Sequence, residues 1–382
     1  MNRYISNIST PSAIAISDKI RELEAKGEKI AKLQTGEPCF ATPQYIKDAA
    51  FESLKKNQTQ YAFSQGVMEL RQEISKYYKD EYSFYINPAS ILINVGAVNS
   101  IYCILNGLLN AGDELLIVDP SWPQYNNMGI LLNAQVKKIS TLSTNGRLTP
   151  ELLSNKISNQ TKLVVINNPG NPSGVVYSEE EINAFIQIAK KNGANMIFDE
   201  VYDRIVFEGN FKKVIQCSEY QGYKSNIYYV NSFSKSFAMT GWRIGYAFIP
   251  DTGMQYCLKI FQNSITNVST FSQYAAVIAL RYRKQHQAEF DLMFQTYQTR
   301  WKEIKDLLDM SSYSYIKPQG SFYFFIDAAH QPTNFVETLL KAHKMAVVPG
   351  SAYGLDFKSY FRISFAVDEY SYQVLVCWLK KK

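Results

Sequence analysis

Asn231-Ser232-Phe233-Ser234-Lys235-Ser236-Phe237-Ala238-Met239-Thr240-Gly241-Trp242-Arg243-Ile244-Gly245 follows the apolar, β-rich run Ile227-Tyr228-Tyr229-Val230. It sets one lysine, Lys235, between two serines at the expected end of a buried strand. Lysine belongs on surfaces, because desolvating its charge is costly and burial lowers its pKa toward the neutral amine. A neutral amine is a nucleophile, suited to Schiff-base formation with a carbonyl. Eight residues on, Arg243 offers a fixed positive fork that matches a phosphate. From these residues alone, a polar turn beside a surface charge is the competing interpretation.

Working outward, the strand before Lys235 is one of a series. Short apolar runs at Ile91 to Val95, Glu114 to Val118, Leu163 to Ile166, Met196 to Phe198, Ile227 to Val230 and Tyr246 to Ile249 alternate with helical patterns. One such pattern is the stripe Ile182, Phe185, Ile186, Ala189, closed by Gly193. The alternation predicts an α/β protein, with a mostly parallel sheet flanked by helices and a ligand outside the carboxyl ends of the strands. Polar segments follow these runs: Gly96-Ala97-Val98-Asn99-Ser100, then Asp119 to Tyr125, Asn167 to Gly174, Asp199-Glu200-Val201-Tyr202, and the Lys235 segment. A scaffold needs far less polar chemistry at its strand ends.

Before the series, a helix over 17–26 stops at Gly27, Leu33 to Pro38 forms a short strand and turn, and Thr42-Pro43 opens a helix to about 56. After it, an amphipathic helix from about 286 to 309 leads to the runs Phe322 to Ile326 and Tyr360 to Phe365, which predict a smaller α+β lobe. Residues 46–285 are expected to form the large domain, and 1–45 with 286–382 the small one. In the last run, Arg362 alternates with apolar residues, a position usually solvated. Glu200 and Asp203 read as ordinary helix charges.

The 382 residues carry 40 basic and 34 acidic side chains, a net +6 spread along the chain, so only the terminal lysines 380–382 form a run and no nucleic-acid arm is expected. Cys39, Cys103, Cys217, Cys257 and Cys377 are widely spaced, as expected of reduced thiols in a cytoplasmic protein. Met1-Asn2-Arg3-Tyr4 lacks a signal-peptide pattern, and no apolar stretch is long enough to span a bilayer. The three histidines, His286, His330 and His343, lack metal-ligand spacing, so neither a metal site nor a histidine-based triad is expected.

Taken together, the chain resembles the class I/II aminotransferases of the aspartate-aminotransferase type, the fold-type-I pyridoxal-phosphate enzymes. The resemblance runs through Pro11-Ser12, Gly36-Glu37-Pro38, Thr42-Pro43, Tyr61-Ala62, Gly66, Glu69-Leu70-Arg71, Asn168 to Gly174, Asp199 to Tyr202, Ser232 to Lys235, Gly241 to Gly245, Pro349-Gly350-Ser351 and Arg362 to Ala366. It implies a seven-stranded-type sheet in the large domain and pyridoxal 5′-phosphate as cofactor. The implied reaction is transamination between an L-amino acid and a 2-oxo acid, within amino acid metabolism or biosynthesis, through an internal aldimine on Lys235. Lys235 would also act as the base at Cα. Asp199 would pair with the pyridine nitrogen, Asn171 and Tyr202 would donate to the phenolate oxygen, and Trp122 would stack on the ring. Gly96, Ala97, Val98, Ser232, Ser234 and Arg243 would hold the phosphate, with Tyr61 contributed across a homodimer interface. Gly36, Asn171 and Arg362 would bind substrate, Arg362 taking the α-carboxylate in place of the solvated role above.

Cys39 and Ser64-Gln65 depart from the family pattern away from the chemistry. Val98 stands where some dicarboxylate-specific members carry lysine, which favours a neutral or aromatic substrate side chain. Two alternatives share the cofactor-binding residues: β-elimination, cyclisation or oxidation on the same lysine, and a non-catalytic cofactor-sensing module, which would need a DNA-binding extension.

Overall fold

The computed structural model of the chain describes residues 5–8, 12–332 and 334–381. Met1 to Tyr4, Pro11 and Lys382 lie outside the described residues. From edge to edge, the main sheet runs Ile91–Asn94, Gly245–Phe248, Ile227–Ser232, Asn195–Asp199, Thr161–Asn167, Glu114–Asp119 and Gln135–Ser140. Gly245–Phe248 is antiparallel to both its neighbours; every other pairing is parallel. The central strands are buried on both faces, which explains why they read as continuous apolar runs rather than alternating ones.

The sequence pattern missed Gln135–Ser140, because an edge strand carrying Lys137 and Lys138 has little apolar signature. Its lysines instead pair with Glu114 and Asp119 on the adjacent strand. The helix Glu179–Asn192 has the expected apolar stripe, a Ser178/Glu181 capping box, and Gly193 at φ +70° as its stop. The first long helix spans Ser12–Glu24, earlier than the pattern predicted. Thr42 does not cap the helix Gln44–Lys55. Its hydroxyl donates to Ala238 O at 2.5 Å and accepts from Trp242 Nε1 at 3.0 Å, tying the N-terminal region to the Lys235 segment.

A second, antiparallel sheet contains Val348–Pro349, Tyr360–Ser364, Tyr323–Asp327 and Ser314–Ile316. Val348–Pro349 is a short strand of this sheet. The helices Gln287–Met310 and Glu369–Leu379 pack with this sheet into a second apolar core. Ala31–Lys32 pairs in parallel with Met345–Ala346, joining the N-terminal part of the chain to this half. Val201, Tyr202 and Ile205 also enter the second core, so the segment after Asp199 is gripped by both halves.

Strand register brings Asn94, Gly245 and Ser232 side by side at one edge of the main sheet. Gly245 is required there, because a Cβ would lie 2.6 Å from Ala97 N and from Gly96 C, both rigid backbone. Gly245→Ala is therefore expected to destabilise the fold by about 1–3 kcal/mol. Urea denaturation checks this; unchanged stability would show that the start of the Gly96–Leu108 helix yields easily.

Candidate active site

The polar segments at this sheet edge enclose a cavity of about 470 Å³. Of the positions implied by the sequence, Gly36, Ala97, Val98, Trp122, Asn171, Asp199, Tyr202, Ser232, Ser234, Lys235, Arg243 and Arg362 all line it. Gly96 abuts Arg243 just behind the wall. Tyr61 does not line the cavity of its own chain and is 87% exposed.

Lys235 sits on the short helix Phe233–Ser236, where Ser232 Oγ accepts from Ser234 N at 3.2 Å. Its amine donates to Gly36 O and lies 5.7 Å from the Phe322 ring centroid. Burial lowers its pKa to about 8, opposed by the carboxylate of Glu37 and helped by the cations Arg362 and Arg243. Asp199 is 4% exposed, and burial raises its carboxyl to about 6 against the hydrogen bond from Tyr125. Tyr125 Oη donates to Asp199 Oδ2 at 2.5 Å, and Val201 N to Oδ1 at 3.4 Å. Both donors are neutral and Lys235 acts on Asp199 only at a distance, so a cationic nitrogen placed directly against Asp199 would stabilise its charge further.

Sequence reasoning selected Trp122 and missed Tyr125. A signal was available, because the two lie three residues apart at the start of the helix Pro123–Leu131, and their rings meet edge to face at 5.3 Å. Tyr323, Gln34 and Glu37 also line the cavity unannounced.

At one end of the cavity, Arg243 meets the N-terminus of the helix Gly96–Leu108. Gly96 has φ +72°, and a Cβ there would fall 2.7 Å from Arg243 Nη2. Arg243 itself adopts φ +56° and donates from Nη1 to Thr240 O at 2.7 Å. A non-glycine residue in this region is strained, of order 1–3 kcal/mol, and such strain gathers at functional sites. With Ser232 and Ser234, these groups make a donor set suited to a phosphate.

At the other end lies Arg362, 4% exposed rather than solvated, because both faces of Tyr360–Ser364 are covered. It donates from Nη1 to Asn171 Oδ1 at 3.1 Å and from Nη2 to Gln34 O at 2.7 Å, while its buried Nε has no partner. Because Arg362 takes the amide oxygen of Asn171, the Asn171 NH₂ group is left as a donor.

Glu200 and Asp203 are not helix charges: they lie in a turn, with the Glu200 side chain fully buried and that of Asp203 nearly so. Lys213, also buried, pairs with Asp203. Asp203 further accepts from Asn231 Nδ2 at 3.0 Å and Ser236 Oγ at 3.3 Å, holding both ends of the segment that carries Lys235. Burial pushes Glu200 up to about 8, against the nearby Lys213 charge. The spacing from Asp203 to Lys213 follows no local rule, so the network was invisible in the sequence.

The family model for aminotransferase class I and II matches residues 28–377. Aspartate aminotransferase of Thermotoga maritima is 33% identical over 96% of this chain and 94% of its own length. A (5-formylfuran-3-yl)methyl phosphate transaminase of Methanocaldococcus jannaschii is 33% identical over 96% and 95%. The solved structure of aspartate aminotransferase from Thermus thermophilus with maleate superposes at a TM-score of 0.93, with 27% identity, over 100% of this chain and 99% of that one.

The amine of Lys235 has a lower pKa folded than unfolded. For this group the unfolded state binds more protons between about pH 8 and pH 10.5, so the contribution of Lys235 to stability rises with pH across that window. Lys235→Met should remove this rise. In cofactor-free protein it is expected to be more stable than the native chain at pH 7, by on the order of 3 kcal/mol, with the gap closing near pH 10.5. Urea denaturation of both proteins at the two pH values measures it; a stability difference between Lys235→Met and native that is the same at pH 7 and pH 10.5 would contradict a desolvated amine.

Proposed function

The chain belongs to aminotransferase class I and II, enzymes that pass an amino group between an L-amino acid and a 2-oxo acid, and on that premise we propose that it works with pyridoxal 5′-phosphate attached at Lys235. The observation that carries this reading is the arrangement of Lys235 and Asp199, both desolvated, in one cavity between the Gly96/Arg243 phosphate cup and the Arg362 carboxylate clamp. The residues fit the cofactor: among the described residues no cation is in ion-pair contact with Asp199, Lys235 acting on it only at a distance, and the cup end offers donors to a dianion.

When bound, the cofactor supplies a carbonyl that accepts the amino group and a ring that takes up the electrons left at Cα. Arg362 holds the substrate carboxylate, a charge-assisted contact worth roughly 1.5–3 kcal/mol, and its unpartnered Nε is available for it. Lys235, with a pKa near 8, has a usable neutral fraction at physiological pH and takes the proton from Cα. With the cofactor bound, Asp199 would set its negative charge against the ring nitrogen, Asn171 and Tyr202 would donate to the phenolate oxygen, and Trp122 would cover a ring face. Gly36 closes the substrate side, its carbonyl beside the Lys235 amine.

Several features support the wider assembly. Tyr61 and Phe63 are 87% and 79% exposed, and an apolar surface depression lined by Phe51, Leu54 and Trp242 adjoins Arg243. We read these as a homodimer interface through which Tyr61 of the partner subunit reaches the phosphate. The two apolar cores support a large domain of residues 46–285 and a small one of 1–45 with 286–382. Among the described residues no helix is long and apolar enough to cross a membrane, and the five cysteines are free thiols, in keeping with a cytoplasmic location.

The substrate side chain is neutral or aromatic on this reading, because Val98 brings no cation to the cavity wall. Val98→Lys should raise kcat/KM for aspartate relative to phenylalanine at least about tenfold, the effect of one added charge-assisted contact. A native enzyme that already prefers aspartate strongly would contradict the assignment. The reaction itself is tested by half-reactions. An amino acid alone should convert the bound cofactor to its amine form with loss of visible absorbance, and a 2-oxo acid should restore it. Turnover of a single amino acid with release of ammonia would indicate elimination instead.

A further inference from the structure

The hydroxyls of Tyr202 and Tyr323 lie 3.0 Å apart, both buried, where the two halves of the site meet. Tyr202 follows the strand Asn195–Asp199, and Tyr323 begins the strand Tyr323–Asp327, paired with Ser364 two residues beyond Arg362. Each phenol carries one proton. Among the described residues, neither hydroxyl has another hydrogen-bond partner. If Tyr202 is to donate into the cavity, Tyr323 must be the donor between them.

The Tyr323 ring has a second contact: the Arg362 guanidinium lies 4.1 Å from its centroid. A guanidinium only donates, so it offers the Tyr323 proton no competing acceptor. Hydrogen bonds from Nη1 and Nη2 to Asn171 and Gln34 hold the edge of the fork, and the Tyr323 face, with the Tyr353 ring centroid 5.3 Å away, supports its plane. Gly36 leaves room for the arrangement, since a Cβ there would come within 3.0 Å of the Tyr323 hydroxyl.

We propose that Tyr323 is a positioning residue joining the two ends of the site: its hydroxyl donates to Tyr202 and commits the Tyr202 proton to the cofactor, while its ring braces Arg362. The proposal rests on the cofactor reading above. Donation to Tyr202 polarises that hydroxyl and strengthens the hydrogen bond it makes in turn. Without it, more negative charge remains on the cofactor oxygen beside the Lys235 nitrogen, and the proton on that nitrogen is held more tightly. The charged and titratable groups facing the pair are Asp199, Glu37, Arg362, Lys235, Tyr125 and Tyr353. The substitutions below replace only Tyr323 and Tyr202 and none of these groups.

The test is a pH titration of the visible absorbance of the holoenzyme, together with steady-state kinetics. Tyr323→Phe keeps the ring and removes the hydroxyl. Its absorbance midpoint should move up by roughly half a pH unit, with KM for the amino acid within about twofold of native. Tyr323→Met removes the aromatic face as well, and should show the same midpoint shift with KM raised several-fold. In a Tyr202→Phe background, Tyr323→Phe should produce no further shift, because its effect passes through Tyr202. An unmoved midpoint in Tyr323→Phe, or a shift that persists without the Tyr202 hydroxyl, would overturn the proposal. A native enzyme with no visible band at all would overturn the cofactor reading, a result distinct from either.

Discussion

Desolvation of one amine is the constraint on which the rest depends. Lys235 is part-buried with little water around its amine, and its pKa falls to about 8 for that reason above all. Asp199 is the complementary case, a carboxyl raised to about 6 by the same low-polarity surroundings. Together they make a site in which a lysine can be neutral and a carboxylate waits for a positive partner.

Holding those groups in place takes structure from both halves of the molecule. The Lys235 segment is held underneath by Asp203, itself paired with Lys213, and laterally by Thr42 through Ala238 and Trp242. A buried pair of this kind is weak evidence for stability but restricts geometry, because removing one partner strands a buried charge. The second core then delivers Arg362 and Tyr323 to the opposite wall, on adjacent antiparallel strands. The site is a seam between two packed layers, and Gly96 and Gly245 leave room for the Arg243 guanidinium and the helix start, where a Cβ would collide.

Much of this was legible in the sequence because strand ends in an α/β sheet are where ligand chemistry must lie. The buried strands announced themselves as apolar runs, and the segments after them carried Asp199, Asn171, Lys235 and Arg243. What was illegible has physical causes. The edge strand Gln135–Ser140 faces solvent, so it has no apolar code. Glu200, Asp203 and Lys213 look like surface charges until the fold brings them together, and Arg362 looked solvated by alternation because a sheet covered on both faces breaks that inference. Abundance hid Tyr125 and Tyr323 among 27 tyrosines: the spacing from Trp122 marked Tyr125 only weakly, and for Tyr323 only geometry shows the contact with Tyr202.

The central claim is that the chemistry is anchored at one amine. Borohydride reduction of the purified holoenzyme, followed by proteolysis and mass analysis, tests it most directly. The account predicts one cofactor-bearing peptide, modified at Lys235 and absent in Lys235→Ala. Cofactor fixed at any other lysine, or none fixed after reconstitution with pyridoxal 5′-phosphate, would contradict it.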